Sequence, residues 1–264
     1  MLAKRLIARL DIKSPCLVKT IRLEGVRQLG DPYEYATRYD SQGIDEIIFL
    51  DIVASLYGRN HLADLVSRAV QGVFCPVTVG GGIRSVEDVR ILLNAGADVV
   101  AVNTAATERP ELITELANKY GSQCVTIQID AKKNKTGWEA WKNGGREPTG
   151  FDVVVWAKQA VQLGAGGILL TSIDREGLCF GMDVDLIKAV TSNISVPVVA
   201  SGGVGEPRHV SEAFGAGADG VAMAHVLHYN TLDLDDIRRS VSNAGFRVRC
   251  ETESSVSQGQ FGTT

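Results

Sequence analysis

The sequence predicts an α/β fold, a single (β/α)8 TIM barrel built from two duplicated half-barrels, and three observations carry that reading. Eight short apolar runs alternate with longer amphipathic segments, which in 264 residues is about 33 per unit, the spacing of a closed barrel. The runs are almost continuously hydrophobic, as strands of a parallel sheet are when both faces are covered. One half of the chain also resembles the other at an offset of about 120 residues.

The strands are read in order as LIARLDI (6–12), EIIFLDI (46–52), CPVTVGG (75–81), DVVAVNT (98–104), CVTIQID (124–130), GILLTSI (167–173), VPVVASG (196–202) and DGVAMAH (219–225). Between them SVEDVRILLNAG (85–96), PELITELANKYG (110–121) and DVVVWAKQAVQLG (152–164) read as helices, each closed by a glycine. KSPCLVKTIRLEGVRQLGDP (13–32) reads as a loop after the first strand. Trp138 and Trp141, with Gly144 and Gly145, read as a small hairpin after the fifth. The barrel is expected to span 1–250 and the polar 251–264 to be a disordered tail.

The repeat aligns VTVGGGIRSVEDVRILLNAGADVVAVNTAA with VVASGGVGEPRHVSEAFGAGADGVAMAHVL, and ARLDIK with IQIDAK. Whatever one half binds at its strand ends, the other can bind across the mouth.

Composition narrows the function classes. With 27 basic and 31 acidic side chains the formal charge is −4, and no block of Lys or Arg offers a footprint for nucleic acid or an anionic membrane. Five scattered cysteines, without a C-x-x-C pair, give neither a disulfide framework nor a zinc site. His61, His209, His225 and His228 lack the spacing of a metal site, so neither metal nor cofactor is expected. The N-terminal MLAKRLIARLDI is too charged for a signal-peptide core, and no run is long enough to span a bilayer, which makes a cytoplasmic protein the default expectation.

Glycine, 28 of 264 residues, exceeds the usual level of about 7%. Gly81 and Gly82 sit at a strand-to-helix turn, and Gly202 and Gly203 repeat them. Such a turn lets an anion reach backbone N–H groups at a helix start. Taken singly, a glycine pair is only a tight turn; duplicated and facing, the pairs suit a substrate with a phosphate at each end. Asn103 and Thr104 could donate to the first phosphate or simply cap a helix. Asp11 and Asp130 end the first and fifth strands, on opposite sides of the mouth, the placement for a general acid and base on one reacting centre. Either could instead cap a loop or pair with Lys13 or Lys132, and Asp51 is a weaker third candidate.

The stretches MLAKRLIARLDI, VTVGGGIRSVED, NTAA, ELITELANKYGSQCV, IDAK, TGFDVVVWAK, GAGGILLTSIDREG and ASGGVG resemble the cyclase subunits of imidazole glycerol phosphate synthase from end to end of the folded part. The resemblance implies a barrel that takes ammonia from a glutaminase subunit, in a heterodimer. It would cleave and cyclise a bis-phosphorylated phosphoribulosyl-formimino aminoimidazole carboxamide ribonucleotide for histidine biosynthesis. It implies Asp11 and Asp130 as catalytic residues and Gly82, Asn103 and Thr104 at the first phosphate. Ser201, Gly203, Ala224 and His225 would hold the second, with Thr171 lining the pocket and Lys19 on a mobile lid. Arg5 and Glu46 would belong to the ammonia entrance, and Asp98 and Arg249 to the glutaminase face.

Departures cluster. Arg9 stands where the family usually has Cys, Glu176 where it has Asp and His225 where it has Ser. Val99 and Gly167 occupy the other two positions of the charged entrance ring. They motivate a competing reading, an ammonia conduit and partner for an amidotransferase that makes an acetamidino sugar for surface polysaccharide. The related phosphoribosyl sugar isomerase of histidine biosynthesis is a third.

Overall fold

The computed structural model describes residues 3–54 and 62–249. In chain order its strands are β1 (Arg5–Lys13), β2 (Cys16–Ile21), β3 (Glu24–Gly30), β4 (Glu46–Asp51), β5 (Val77–Gly80), β6 (Val99–Val102), β7 (Val125–Lys133), β8 (Trp138–Lys142), β9 (Glu147–Asp152), β10 (Gly167–Ser172), β11 (Val198–Ser201) and β12 (Gly220–Met223). The described helices are α1 (Pro32–Ser41), α2 (Leu62–Ala69), α3 (Val86–Asn94), α4 (Thr104–Glu108), α5 (Glu111–Tyr120), α6 (Val153–Gln162), α7 (Val184–Thr191), α8 (Pro207–Gly215), α9 (His225–His228) and α10 (Leu234–Asn243). The expected tail, 251–264, lies outside the described residues, as does His61.

Eight strands, β1, β4, β5, β6, β7, β10, β11 and β12, pair in parallel, and the pairings β12–β1 and β7–β10 close the ring. All eight expected strands are present. The helices start where local chemistry says they should: Ser85 and Asp88 form a reciprocal capping box at α3, and Asp152 accepts from Val154 and Val155 at α6.

Strand alternation sorts every barrel residue inward or outward. Along β1, Leu6, Ala8, Leu10 and Ile12 join the large core between strands and helices. Ile7 joins a separate inner cluster with Ile48, Leu50, Ala101, Leu169, Val199 and Ala222. That apolar layer crosses the barrel axis. Below it the same inward rows carry Arg5, Glu46, Thr78, Val99 and Gly167; above it they carry Arg9, Asp11, Gln128, Asp130, Thr171 and Ser201.

One expectation is corrected. Within residues 13–32, read as a loop, 16–30 form an antiparallel hairpin, β2–β3, continuing β1 with Asp11 opposite Val18 and Lys13 opposite Cys16. Every residue of β3 except Leu29 is exposed, so the segment lacks the apolar alternation that marks a strand in sequence. The hairpin expected after the fifth strand is present as β8–β9, with Asp130 opposite Trp141. Each aspartate therefore sits where a barrel strand runs on into a hairpin, and the duplication extends to these additions.

Candidate active site at the barrel mouth

Asp11 and Asp130 face the axis from β1 and β7, 1% and 0% exposed. Neither pairs with Lys13 or Lys132. Asp11 Oδ1 instead accepts from Arg9 Nε at 2.8 Å, one inward position below it. Arg9 Nη1 crosses to Thr171 Oγ1 on β10 (2.9 Å) and Ser201 Oγ on β11 (3.1 Å). Asp130 is held by neutral amides: Gln128 Nε2 donates to its oxygens at 3.1 and 3.2 Å, and Asn103 Nδ2 at 2.9 Å. Burial pushes the Asp130 carboxyl above the usual carboxylate range; the Arg9 charge and the Gln128 and Asn103 hydrogen bonds oppose this without cancelling it.

A cavity of about 270 Å³ opens over the first half of the mouth, lined among others by Arg9, Gly81, Gly82, Asn103, Thr104 and Asp130. Asp51 also lines it, and its Oδ1 accepts from Val53 and Ala54 at 3.0 and 2.9 Å, a loop-capping role. Gly81 is required at its turn: at φ +99° a Cβ would stand 2.2 Å from the Asp51 carbonyl oxygen. Asn103 and Thr104 both reach the cavity while serving its walls. Asn103 Nδ2 also donates to the Trp141 carbonyl (3.2 Å), and Thr104 Oγ1 accepts from Asn143 N (3.0 Å).

The second half is closed. Gly203, at φ +105°, packs so tightly on the following loop that a Cβ would lie 2.2 Å from the Gly181 oxygen. The β2–β3 hairpin folds over this side: Lys19, 4% exposed, forms an ion pair with Glu176, and Arg22 N donates to the Glu176 carbonyl at 2.9 Å. Burial alone would raise the Glu176 carboxyl, but Lys19 and Arg9 outweigh it and hold it below the usual range. Ala224 and His225 open α9, where the His225 ring lies 4.7 Å from that of Tyr229. Burial, then the Lys19 charge, lowers the His225 pKa. The structure thus gathers Gly82, Asn103, Thr104 and Asp130 around one open cavity, while Thr171, Ser201 and Lys19 are engaged by Arg9 and Glu176.

At the opposite end Arg5 Nη1 meets Glu46 Oε2 at 2.7 Å, and Thr78 Oγ1 donates to Glu46 Oε1 at 2.7 Å. Burial raises the Glu46 carboxyl against the Arg5 charge and the Thr78 hydrogen bond. Val99 and Gly167, inward at the same level on β6 and β10, carry no charge. Asp98 and Arg249 are exposed at this end, and Asp98 Oδ2 also accepts from Val77 N at 2.8 Å. Among the described residues no cluster of His, Cys, Asp or Glu could hold a metal ion, and no helix is long and apolar enough to cross a membrane. His209 has a structural duty, its Nδ1 accepting from Gly205 and Glu206 N at the start of α8.

Sequence reasoning noticed Arg9 and Glu176 as departures but missed what they do. A signal was present for Arg9: an arginine at an inward position of a fully buried strand must find a carboxylate on the same face, and Asp11 at i+2 is the nearest. Gln128, likewise two positions before Asp130, follows the same rule.

The profile of the family described as histidine biosynthesis protein matches residues 5–233. The chain is 47% identical over 251 residues to the imidazole glycerol phosphate synthase subunit HisF of Pyrococcus furiosus, covering 95% of this chain and 100% of that one. It is 56% identical over 203 residues to the subunit of the same name from Legionella pneumophila, covering 76% and 96%. With the Mycobacteroides abscessus subunit it shares 44% over 254 residues, covering 94% and 99%.

Proposed function

This chain belongs to the histidine biosynthesis protein family, among the cyclase subunits of imidazole glycerol phosphate synthase, and from that premise we propose that Asp11 and Asp130 catalyse the cyclase reaction at its barrel mouth. The reaction combines ammonia with the phosphoribulosyl-formimino aminoimidazole carboxamide ribonucleotide. It releases imidazole glycerol phosphate, aminoimidazole carboxamide ribotide and one water that carries off the ketone oxygen, which makes the chain a lyase linked to a glutamine amidotransferase. The observation that carries the reading is the pair of buried carboxylates on β1 and β7, either side of the axis, beside a glycine turn that opens on a cavity.

One substrate phosphate rests on the Gly82 turn with Asn103 and Thr104, where free backbone N–H groups and a helix start favour an anion. The other takes Ser201, Gly203, Ala224 and His225, with Thr171 beside it. To reach that phosphate Lys19 must leave Glu176, so closure over substrate exchanges one anionic partner for another. Ammonia enters past Arg5 and Glu46 from a glutaminase subunit docked on the end that carries Asp98 and Arg249. The uncharged Val99 and Gly167 widen that entrance while the remaining ion pair stays balanced.

The test is direct. The purified chain, given ammonium and the ribulosyl substrate, consumes the substrate as followed by absorbance, and a glutaminase subunit lets glutamine replace ammonium. An inert chain with Asp11 intact that also fails to rescue a histidine auxotroph sinks the reading in favour of the ammonia conduit. Turnover of the aldose isomer instead would identify the sugar isomerase.

A further inference from the structure

Besides Asp51, five charged side chains are buried around the top of the barrel axis: Arg9, Lys19, Asp11, Asp130 and Glu176. Lys19 is taken by Glu176 and Arg9 by Asp11. Asp130 is the carboxylate left over: it feels the Arg9 charge, but among the described residues its side-chain hydrogen bonds come from amides alone. Asp51, the other buried carboxylate of the mouth, is committed in part to the N–H groups of Val53 and Ala54. Two cations cannot neutralise three carboxylates in so dry a place, and the cheapest remedy is for the unpaired one to keep a proton.

Arg9 also fixes the geometry of Asp11. Its guanidinium, 1% exposed, is tied at one edge to Asp11 Oδ1 and at the other to Thr171 and Ser201 across the barrel. A planar fork anchored at both ends holds its partner more rigidly than an ammonium could. Asp11 Oδ2 remains buried and without a hydrogen-bond partner among the described residues, an acceptor still to be filled.

We propose that Arg9 is a positioning residue that holds Asp11 in an ion pair with Oδ2 free to accept a proton, leaving Asp130 as the group that supplies one. The inference rests on the ammonia-dependent reading of the mouth. As ammonia adds to the substrate ketone, the N–C bond forms and the carbonyl π bond breaks; Asp11 Oδ2 takes one proton from nitrogen, and Asp130 gives its proton to the oxygen. The amino alcohol so formed is neutral, Asp11 is protonated and Asp130 ionised, and one proton returned through solvent restores both. The upward displacement of the Asp130 carboxyl by burial agrees with this division of labour.

The test compares the full chain with Arg9→Lys and Arg9→Met, using ammonium as nitrogen source. Arg9→Met is expected to lower kcat about 100-fold with KM for the ribulosyl substrate changed less than about threefold, and Arg9→Lys to lose less. Added guanidinium should recover about tenfold of that loss, and urea, its uncharged isostere, should recover none. Equal rescue by the two, or a Met variant within about threefold of wild type, overturns the proposal. A second readout needs no turnover: the Arg9 Nε–H signal, assigned by its loss in Arg9→Lys, should exchange slowly with solvent and move in Asp11→Asn. A signal exchanging as fast as those of exposed arginines overturns the pairing itself. A protected signal in an inert wild-type chain overturns the cyclase reading, and the proton assignment with it, while the ion pair stands.

Discussion

Lys19 and Glu176, 157 positions apart in sequence, form a buried ion pair that fastens the β2–β3 hairpin over the second half of the barrel mouth. Neither partner is intelligible alone. An ammonium and a carboxylate this deep are tolerable only together, and removing one leaves the other charged and dry, at about 3–5 kcal/mol.

Glu176→Gln should therefore lower Tm by about 10 °C, at about 2–4 °C per kcal/mol for a chain of this size, and expose the hairpin to trypsin at Lys19, Arg22 and Arg27. Lys19→Met with Glu176→Leu removes both charges and should restore most of the stability. Because the folded-state carboxyl of Glu176 is depressed, the stabilisation is present above the ordinary glutamate range and is lost as pH falls through the depressed value. Thermal unfolding against pH reads this directly, and at neutral pH a hairpin equally resistant to trypsin in Glu176→Gln and wild type would show that the pair fastens nothing.

Asp130 titrates in the opposite sense. Its raised folded-state value means that the ionised form is penalised, so its contribution to stability is present below the ordinary aspartate range and is lost as pH rises through the raised value. Asp130→Asn should raise Tm at pH 7 by a few degrees, with the gain vanishing in acid, while cutting turnover about 100-fold or more. Asp11→Asn, which leaves the Arg9 charge without its partner, should lose activity and stability together. Calorimetry at two pH values separates the cases, and a less stable Asp130→Asn variant would contradict the burial argument.

His228 supplies a third pH-dependent element. Buried, with Tyr39 Oη at 2.7 Å from its Nδ1, it is lowered to about 3, mainly by burial and then by the Lys19 and Arg38 charges. The unfolded chain takes up the proton that the folded chain refuses, so this contribution is complete above pH 6.5 and falls away below it. Each pH unit in that window costs about 1.4 kcal/mol. His228→Gln, which does not titrate, should give a flatter profile in denaturant unfolding between pH 7.5 and 4.5, and parallel profiles would remove His228 from the account.

The barrel was legible because its evidence is periodic: inward and outward residues alternate along each strand, and the repeat puts Asp11 and Asp130 at matching strand ends. The hairpin β2–β3 was not, since its outer strand is solvated and its inner one is held by a glutamate far along the chain. The glycine pairs were legible as turns, but that Gly81 opens on a cavity while Gly203 packs against Gly181 depends on loops whose positions no local pattern encodes.

Both halves of the repeat carry Gly-Ala-Asp before a strand, at 96–98 and 217–219, and the duty of its aspartate separates two roles of Asp98. Asp98 Oδ2 accepts from Val77 N at 2.8 Å, and Asp219 Oδ2, its counterpart in the other half, from Val198 N at 3.0 Å, each tying the start of the preceding strand to the next. Asp98→Ala and Asp219→Ala should therefore cost similar stability, about 0.5–1.5 kcal/mol for the lost hydrogen bond. If Asp98 also meets the glutaminase, glutamine-dependent turnover should fall in Asp98→Ala by about tenfold beyond any loss with ammonium, and in Asp219→Ala it should not. Equal glutamine-dependent rates in the two variants would leave Asp98 with its structural duty alone and move the docking surface toward Arg249 and the rim around Arg5.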